Sequence, residues 1–299
     1  MAYKEREKPR ILCIYEALAK RMKLGPGDQY YLLHMDGGFG GECGLDVHTD
    51  ALDSRCLVLN DLQLRHNRIS IQIDTLVICP DKLLVYETKN HKGDHLWGPL
   101  TFRKPSGATM ENPSLQLNRT MARLGVLLAE LKIEMPIEGF VVFINPEFNL
   151  LSNRKIEEYL LPGQIPRHFQ NFRVKGTIGP EQQRLADAVI RMHNPRHFAE
   201  ELPEIDYAKL RKELFCLDCG SAVRLDGIKS VYCPVCKKRR RTTKTILHNI
   251  EEFRLLFPDA KVTTPRMAEW CGMDNKDRIY RVLCKNYTAV GKCHGRHYV

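Results

Sequence analysis

Residues 69–89 read ISIQIDTLVICPDKLLVYETK. Two apolar, β-rich runs, Ile69 to Ile78 and Leu83 to Thr88, flank Cys79-Pro80-Asp81-Lys82. Proline and aspartate stand there where a type I turn wants them, so the stretch predicts a β-hairpin. In the register this turn sets, Asp74 faces Glu87 and Gln72 faces Lys89. Side chains alternate along a strand, so Glu87 and Lys89 share a face, and cross-strand neighbours sit about 5 Å apart by β-carbon. Two carboxylates and an ammonium converge.

Crowded carboxylates repel unless a cation sits between them or one is protonated. A hard divalent ion, Mg²⁺ or Mn²⁺, resolves the conflict; Mg²⁺ is typically held by one or two carboxylates plus phosphate oxygens and water, as phosphodiester hydrolysis requires. A lysine beside such an ion can position the attacking water and offset charge building on phosphorus. An ordinary cross-strand ion-pair cluster on a solvated face fits the same spacing.

Upstream, Ile11, Ile14, Tyr15, Leu18 and Met22 give residues 10–24 the repeat of an amphipathic helix, closed by Gly25-Pro26-Gly27. A glycine-rich turn, Asp36 to Gly41, is expected to lead into a second helix near Glu42, followed by a strand over Arg55 to Leu62. Downstream, Asn112 suits an N-cap, Pro113 the first helical position, and Leu117, Met121, Leu124, Leu128 and Leu131 a packing face. Gly139 to Asn145 reads as a buried strand. Helix, helix, three strands, helix, strand predicts an α/β fold with a mixed central sheet flanked by helices. Residues 146–204 read as helices and loops, with a linker over Asn194 to Pro203.

Gly40-Gly41-Glu42, Leu59-Asn60-Asp61, the run from Gln72 to Ile78, Tyr86 to Gly93 (YETKNHKG) and Asn112-Pro113-x-x-Gln116 resemble, in order, the motifs of the nuclease-related domain, NERD, a branch of the PD-(D/E)XK nucleases. The resemblance covers roughly Tyr30 to Phe148. It implies that Glu42, Asp74 and Glu87 are acidic site residues, with Asp74 and Glu87 holding the metal. Lys89 would be the catalytic lysine and Gln116 the helix residue supporting it. Read without the resemblance, Glu42 could simply favour a helix dipole, and Gln116 could be a solvated neighbour of Arg119 and Arg123. Lys82 stands where many relatives place a turn glycine, which leaves the turn type open.

Cys216-Leu-Asp-Cys219 and Cys233-Pro-Val-Cys236 have the spacing of two knuckles closing on one tetrahedral ion, read as structural Zn²⁺. The basic run Lys237, Lys238, Arg239, Arg240 and Arg241 follows directly; it could grip phosphates or be a solvated charge run. Thr243 to Phe257 is helix-like. A short helix from Thr264, a turn at Gly272 and a longer helix from Asp274 to about Lys285 outline a helix-turn-helix, with Lys276, Arg278, Arg281 and Lys285 on or near its exposed side. Tyr287 to Val290 and Arg296 to Val299 could pair as a wing around Gly291 to Gly295. A helical trimer with a basic exterior is the competing reading. Cys271, Cys284, Cys293, His294 and His297 lack knuckle spacing and define no second metal site. The expected domains are 1–204, 205–241 and 242–299.

The 299 residues carry a net charge of +10. Lys and Arg balance Asp and Glu over residues 1–205 and outnumber them 20 to 10 over 206–299, which points to a polyanion partner or a solubilising face at the C-terminal third. With 43% hydrophobic residues the chain can bury a full core. No apolar run is long enough to span a membrane and MAYKEREKPR opens no signal peptide, so a cytoplasmic protein is expected. Eleven cysteines without an export signal read as reduced thiols; Cys13, Cys43, Cys56 and Cys79 are assigned to packing. The sequence therefore predicts a Mg²⁺-dependent nuclease hydrolysing phosphodiester bonds, foremost a DNA endonuclease, with DNA favoured over RNA as substrate. A non-catalytic nucleic-acid-binding regulator on the same scaffold and an RNA-processing nuclease are the alternatives. No membrane partner is expected, and a homo-oligomer is left open.

Overall fold

The computed structural model describes residues 2–52, 55–67, 69–195, 203–292 and 295–299. Its contacts divide the chain into two units: Met1–Lys8 with His34–Glu201, and Pro9–Leu33 with Leu202–Val299. Residues 9–33, grouped by sequence with the N-terminal domain, thus fall in the C-terminal unit. The expected linker lies largely outside the described residues.

The first unit is built on the predicted hairpin. β1 (Leu57–His66), β2 (Ile69–Ile78) and β3 (Leu83–Lys89) pair antiparallel, β3 pairs parallel with β7 (Ile137–Phe143), and β7 with β9 (Tyr159–Leu160), giving the mixed sheet order β1-β2-β3-β7-β9. The β2–β3 register is the one the turn predicts, from Ile78↔Leu83 to Thr75↔Tyr86. Lys82 takes no left-handed φ, so the turn forms without glycine at that position. One sheet face packs on α3 (Pro113–Glu130), whose Leu117, Leu124 and Leu127 are buried with Leu76, Val85 and Val141. Asn112 caps this helix by accepting the Ser114 amide at 2.8 Å. The opposite face buries Val77, Leu84, Tyr86 and Val142 with Leu45.

Two expectations are corrected here. The glycine-rich stretch is no turn: α2 (Pro26–Thr49) runs through it unbroken. Each interior glycine costs roughly 1 kcal/mol of helix propensity, but a β-carbon on Gly41 would meet Asn90 Cβ at 2.8 Å, and one on Gly44 would meet Ile144 at 3.1 Å. The small residues let the helix lie against the ends of β3 and β7. Residues 146–204 also contain strands: β8 (Phe148–Leu151) pairs with β4 (Gly93–Leu96), and β9 (Tyr159–Leu160) extends the main sheet. Strands of two to four residues carry too little alternation to be read from sequence. β4, β5 (Thr101–Arg103), β6 (Thr109–Glu111) and β8 form a second, four-stranded sheet, and α4 (Ile165–Gln170) and α5 (Pro180–Met192) complete the unit.

In the second unit, α1 (Arg10–Arg21) packs on α6 (Thr242–Leu256). Arg21 is fully buried: its guanidinium lies 3.6 Å from the Trp270 ring centre, donates to Asn249 Oδ1 at 2.9 Å and pairs with Glu252 at 3.3 Å. β10 (Arg224–Asp226), β11 (Ser230–Tyr232) and β12 (Arg239–Arg241) make a small antiparallel sheet. α7 (Thr264–Trp270) turns through Gly272, at φ +59°, into α8 (Lys276–Asn286). α8 starts later than expected because Asn275, not Asp274, supplies the cap to the Arg278 amide. β13 (Ala289–Val290) pairs with β14 (His297–Tyr298) as the expected wing; Cys293 and His294 of its loop lie outside the described residues.

Candidate active site

β3 is flanked by β2 and β7 and ends at Lys89, which stays in register with Phe143. This backbone fixes Glu87 and Lys89 two residues apart on one face. Lys89 Nζ donates to Glu87 Oε1 at 2.7 Å and to Gln116 Oε1 at 3.0 Å. Gln116 is thus tied into the cluster, while Arg119 pairs with Glu111 and Arg123 donates to the Ser70 carbonyl. Asp74 stands one position beyond the last β2–β3 pair, where the strands part; its Oδ2 accepts the Thr88 amide at 2.8 Å. Asp74 and Glu87 are 7% and 2% exposed.

Glu42 arrives from α2. Burial first, and then the charge of Asp74, pushes its carboxyl up to about 8. The same two causes raise Glu87 to about 7. Burial also raises Asp74, against the opposing pull of Lys89, the Thr88 amide and Arg6. The donors of these three acids are all oxygens, the kind a hard divalent cation prefers, although the three carboxyls do not lie within 4.8 Å of one another.

Sequence reasoning missed Arg6. Its side chain is 3% exposed and pairs with Glu42 at 2.5 Å and Asp46 at 2.8 Å, donating also to the Asp74 carbonyl and to Thr75 Oγ1. Nothing local distinguishes this arginine from the charges around it in MAYKEREKPR. Asp61 has no role of its own in the Leu59-Asn60-Asp61 motif as read from sequence. The β1–β2 ladder skips it at φ +48°, and its charge raises both Asp74 and Glu42. A non-glycine residue in left-handed conformation beside an acidic cluster is the kind of local strain that gathers at functional sites.

The family model for the nuclease-related domain, NERD, matches residues 38–144. These residues form a nuclease-related domain. No curated protein and no solved structure matches the chain. Glu42, Asp74, Glu87, Lys89 and Gln116 all fall inside the NERD domain, whereas Arg6 reaches it from outside the matched span.

Beyond the NERD domain, Cys216, Cys219, Cys233 and Cys236 bring their sulfurs within 4.8 Å of one another, the one such cluster of metal-ligating side chains among the described residues. Cys216 and Cys236 are 3.7 Å apart, and Cys219 and Cys233 3.4 Å. A tetrahedron with Zn–S bonds of about 2.3 Å has edges of about 3.8 Å, so the cluster is compatible with a zinc ribbon. Of the basic run behind it, Lys238 and Arg240 pair with Asp218 and Arg239 with Asp226; no ion pair is seen for Lys237 or Arg241 among the described residues. Asp218 is held well below the usual carboxylate range by Arg240 first and then Lys238. On α8, Lys276, Arg281 and Lys285 are exposed and Arg278 is half-buried. Cys56 and Cys79 are buried and Cys13 and Cys43 partly so, in keeping with packing roles. No described helix is long and apolar enough to cross a membrane.

Proposed function

We propose that the chain is a metal-dependent nuclease that hydrolyses phosphodiester bonds, with DNA as its favoured substrate. The observation that carries this reading is the Lys89 ammonium, shared between Glu87 and Gln116 on the face that Asp74 joins. Asp74 and Glu87 are the residues that would hold Mg²⁺ or Mn²⁺. Such an ion supplies a Lewis acid toward a phosphoryl oxygen and an acidified water. Lys89 donates protons toward the attacking water and the charge developing on phosphorus, and Gln116 keeps the ammonium pointed there. Asp61 adds negative charge beside Asp74, Glu42 stands next to it as a third carboxyl, and Arg6 sets the position of Glu42. In the second unit, four thiolates hold a structural Zn²⁺, and Lys276, Arg281 and Lys285 contact phosphates.

One observation favours a second reading, a nucleic-acid-binding protein that keeps the nuclease fold as a scaffold. Arg6 already pairs with Glu42 and Asp46 without any metal. Incubation with supercoiled plasmid, linear duplex, single-stranded DNA and RNA, each with Mg²⁺, Mn²⁺ or EDTA, separates the two. Metal-dependent cleavage of DNA supports the nuclease, cleavage of RNA alone moves the substrate, and binding without any cleavage favours the scaffold.

A further inference from the structure

The first unit holds a cavity on the sheet face opposite the acidic cluster. Tyr86 alternates with Glu87 along β3 and is buried with Val142 and Leu160 on that other face. Outside it lies a cavity of about 550 Å³, within the range that takes a small organic ligand. Four cationic side chains, Lys82, Lys155, Arg167 and Arg173, and a single carboxylate, Glu157, line it.

The cations are not all spent on the protein. Lys82 is held by Glu138 at 2.9 Å, and Lys155 pairs with Glu157 at 2.6 Å, but both members of the latter pair are more than 70% exposed, where an ion pair constrains little. The Arg167 guanidinium has no hydrogen bond or ion pair among the described residues, and Arg173 contacts only the carbonyls of Gln170 and Phe172. Aromatic rings supply the rest of the wall. Phe140 and His168 meet edge to face at 4.8 Å, and Phe172 lines the same space.

His168 contributes a polar ring to the wall. Burial lowers its basicity and so favours the neutral ring, and burial likewise keeps the Tyr86 hydroxyl protonated. The Tyr86 hydroxyl and His168 Nε2 share a hydrogen bond at 3.0 Å, so Nδ1 is the ring nitrogen left over from it. The Asn171 side-chain amide, with no partner among the described residues, can both donate and accept. Guanidinium groups suit phosphate, ring faces suit a nucleobase, and an amide beside an imidazole nitrogen can read its polar edge.

We propose that this cavity binds a nucleoside phosphate, either a free nucleotide or the terminal residue of a strand. The site does not depend on the nuclease reading, because it shares no residue with the acidic cluster.

The test is equilibrium binding to the full-length protein without added divalent ion, so that cleavage plays no part. The probes are adenosine 5′-triphosphate, inorganic tripolyphosphate, adenosine and a 5′-phosphorylated adenylate dinucleotide. Saturable binding of the triphosphate or the dinucleotide, at least tenfold tighter than tripolyphosphate and adenosine, is expected. Whichever of the two binds more tightly identifies the source of the ligand. Arg167→Gln combined with Arg173→Gln should weaken that binding at least tenfold with the circular dichroism spectrum unchanged. If the double variant does not fold, Lys155→Gln, at an exposed position, should weaken it about threefold. The proposal is overturned by an absence of saturable binding, by tripolyphosphate binding as well as the nucleotide, or by folded variants that bind like the parent.

Discussion

At Lys89 one ammonium meets two different acceptors, a buried carboxylate and a neutral amide. Replacing it with alanine removes a donor aimed at the developing phosphorane charge, so cleavage should fall roughly 100- to 1,000-fold in a metal-supplemented assay. Gln116→Ala should give a smaller loss, because it only loosens the aim of the lysine. Full activity in Lys89→Ala would remove it from the mechanism. The raised carboxyls make a separate prediction about pH. Glu42 at about 8 and Glu87 at about 7 hold protons that the unfolded chain releases near its ordinary carboxylate range. The stability they contribute is therefore fully present below the unfolded value of 4.5 and is lost progressively as pH rises from there through about 7 to 8. The metal-free melting temperature should fall across that window, and saturating Mg²⁺ should flatten the fall; a metal-free curve that rises with pH there would contradict the assignment. The hairpin register and the shared face of Glu87 and Lys89 were legible in the sequence because strand alternation and a short turn are local rules, whereas a role for Asp74, Glu87 and Lys89 together came from the family resemblance. Arg6 was not, because its partners lie 36 to 69 positions away.

Among the elements, the hairpin followed its sequence and α2 did not. Proline and aspartate at a four-residue turn leave few choices of register, whereas glycines in a row signal a turn only when nothing distant needs a bare backbone. Gly41 is where that need is greatest: Asn90 Cβ and Ile144 Cγ2 stand 2.8 and 3.2 Å from where its β-carbon would go. Overpacking in Gly41→Ala costs about 1–3 kcal/mol, of which the gain in helix propensity returns about 1 kcal/mol, and the remainder should be read as a lower urea midpoint. It should also weaken cleavage by displacing the adjacent Glu42. An unchanged midpoint would show that α2 can shift without penalty. The ribbon is the opposite case, since two knuckles thirteen residues apart announce themselves. Elemental analysis should find one zinc per chain. Cys233→Ser should lose it and expose β10 to β12 to proteolysis, because so small a sheet has little core of its own.

At the scale of the whole molecule the charge excess lies where Lys276, Arg281 and Lys285 are exposed. Changing all three to Gln in the full-length protein should flatten the slope of log affinity against log salt by about 0.9 for each duplex-DNA phosphate that is no longer neutralised. An unaltered slope would assign the basic helix to another role. Cutting the chain after residue 204 would be a poor way to isolate the first unit, because α1 would remain without α6, Trp270 and Asn249 around its buried Arg21. That arrangement also bears on biosynthesis. The ribosome makes α1 before its partners, because the groups that hold the Arg21 guanidinium, on Arg211, Phe215, Asn249, Glu252 and Trp270, all come after position 201. At roughly 5–20 residues per second, the 168 residues of 34–201 take on the order of 10–30 s to synthesise. For that interval the apolar stripe of Ile11, Ile14 and Leu18 is a client for whatever shields nascent chains, and slow codons within 34–201 would lengthen its exposure.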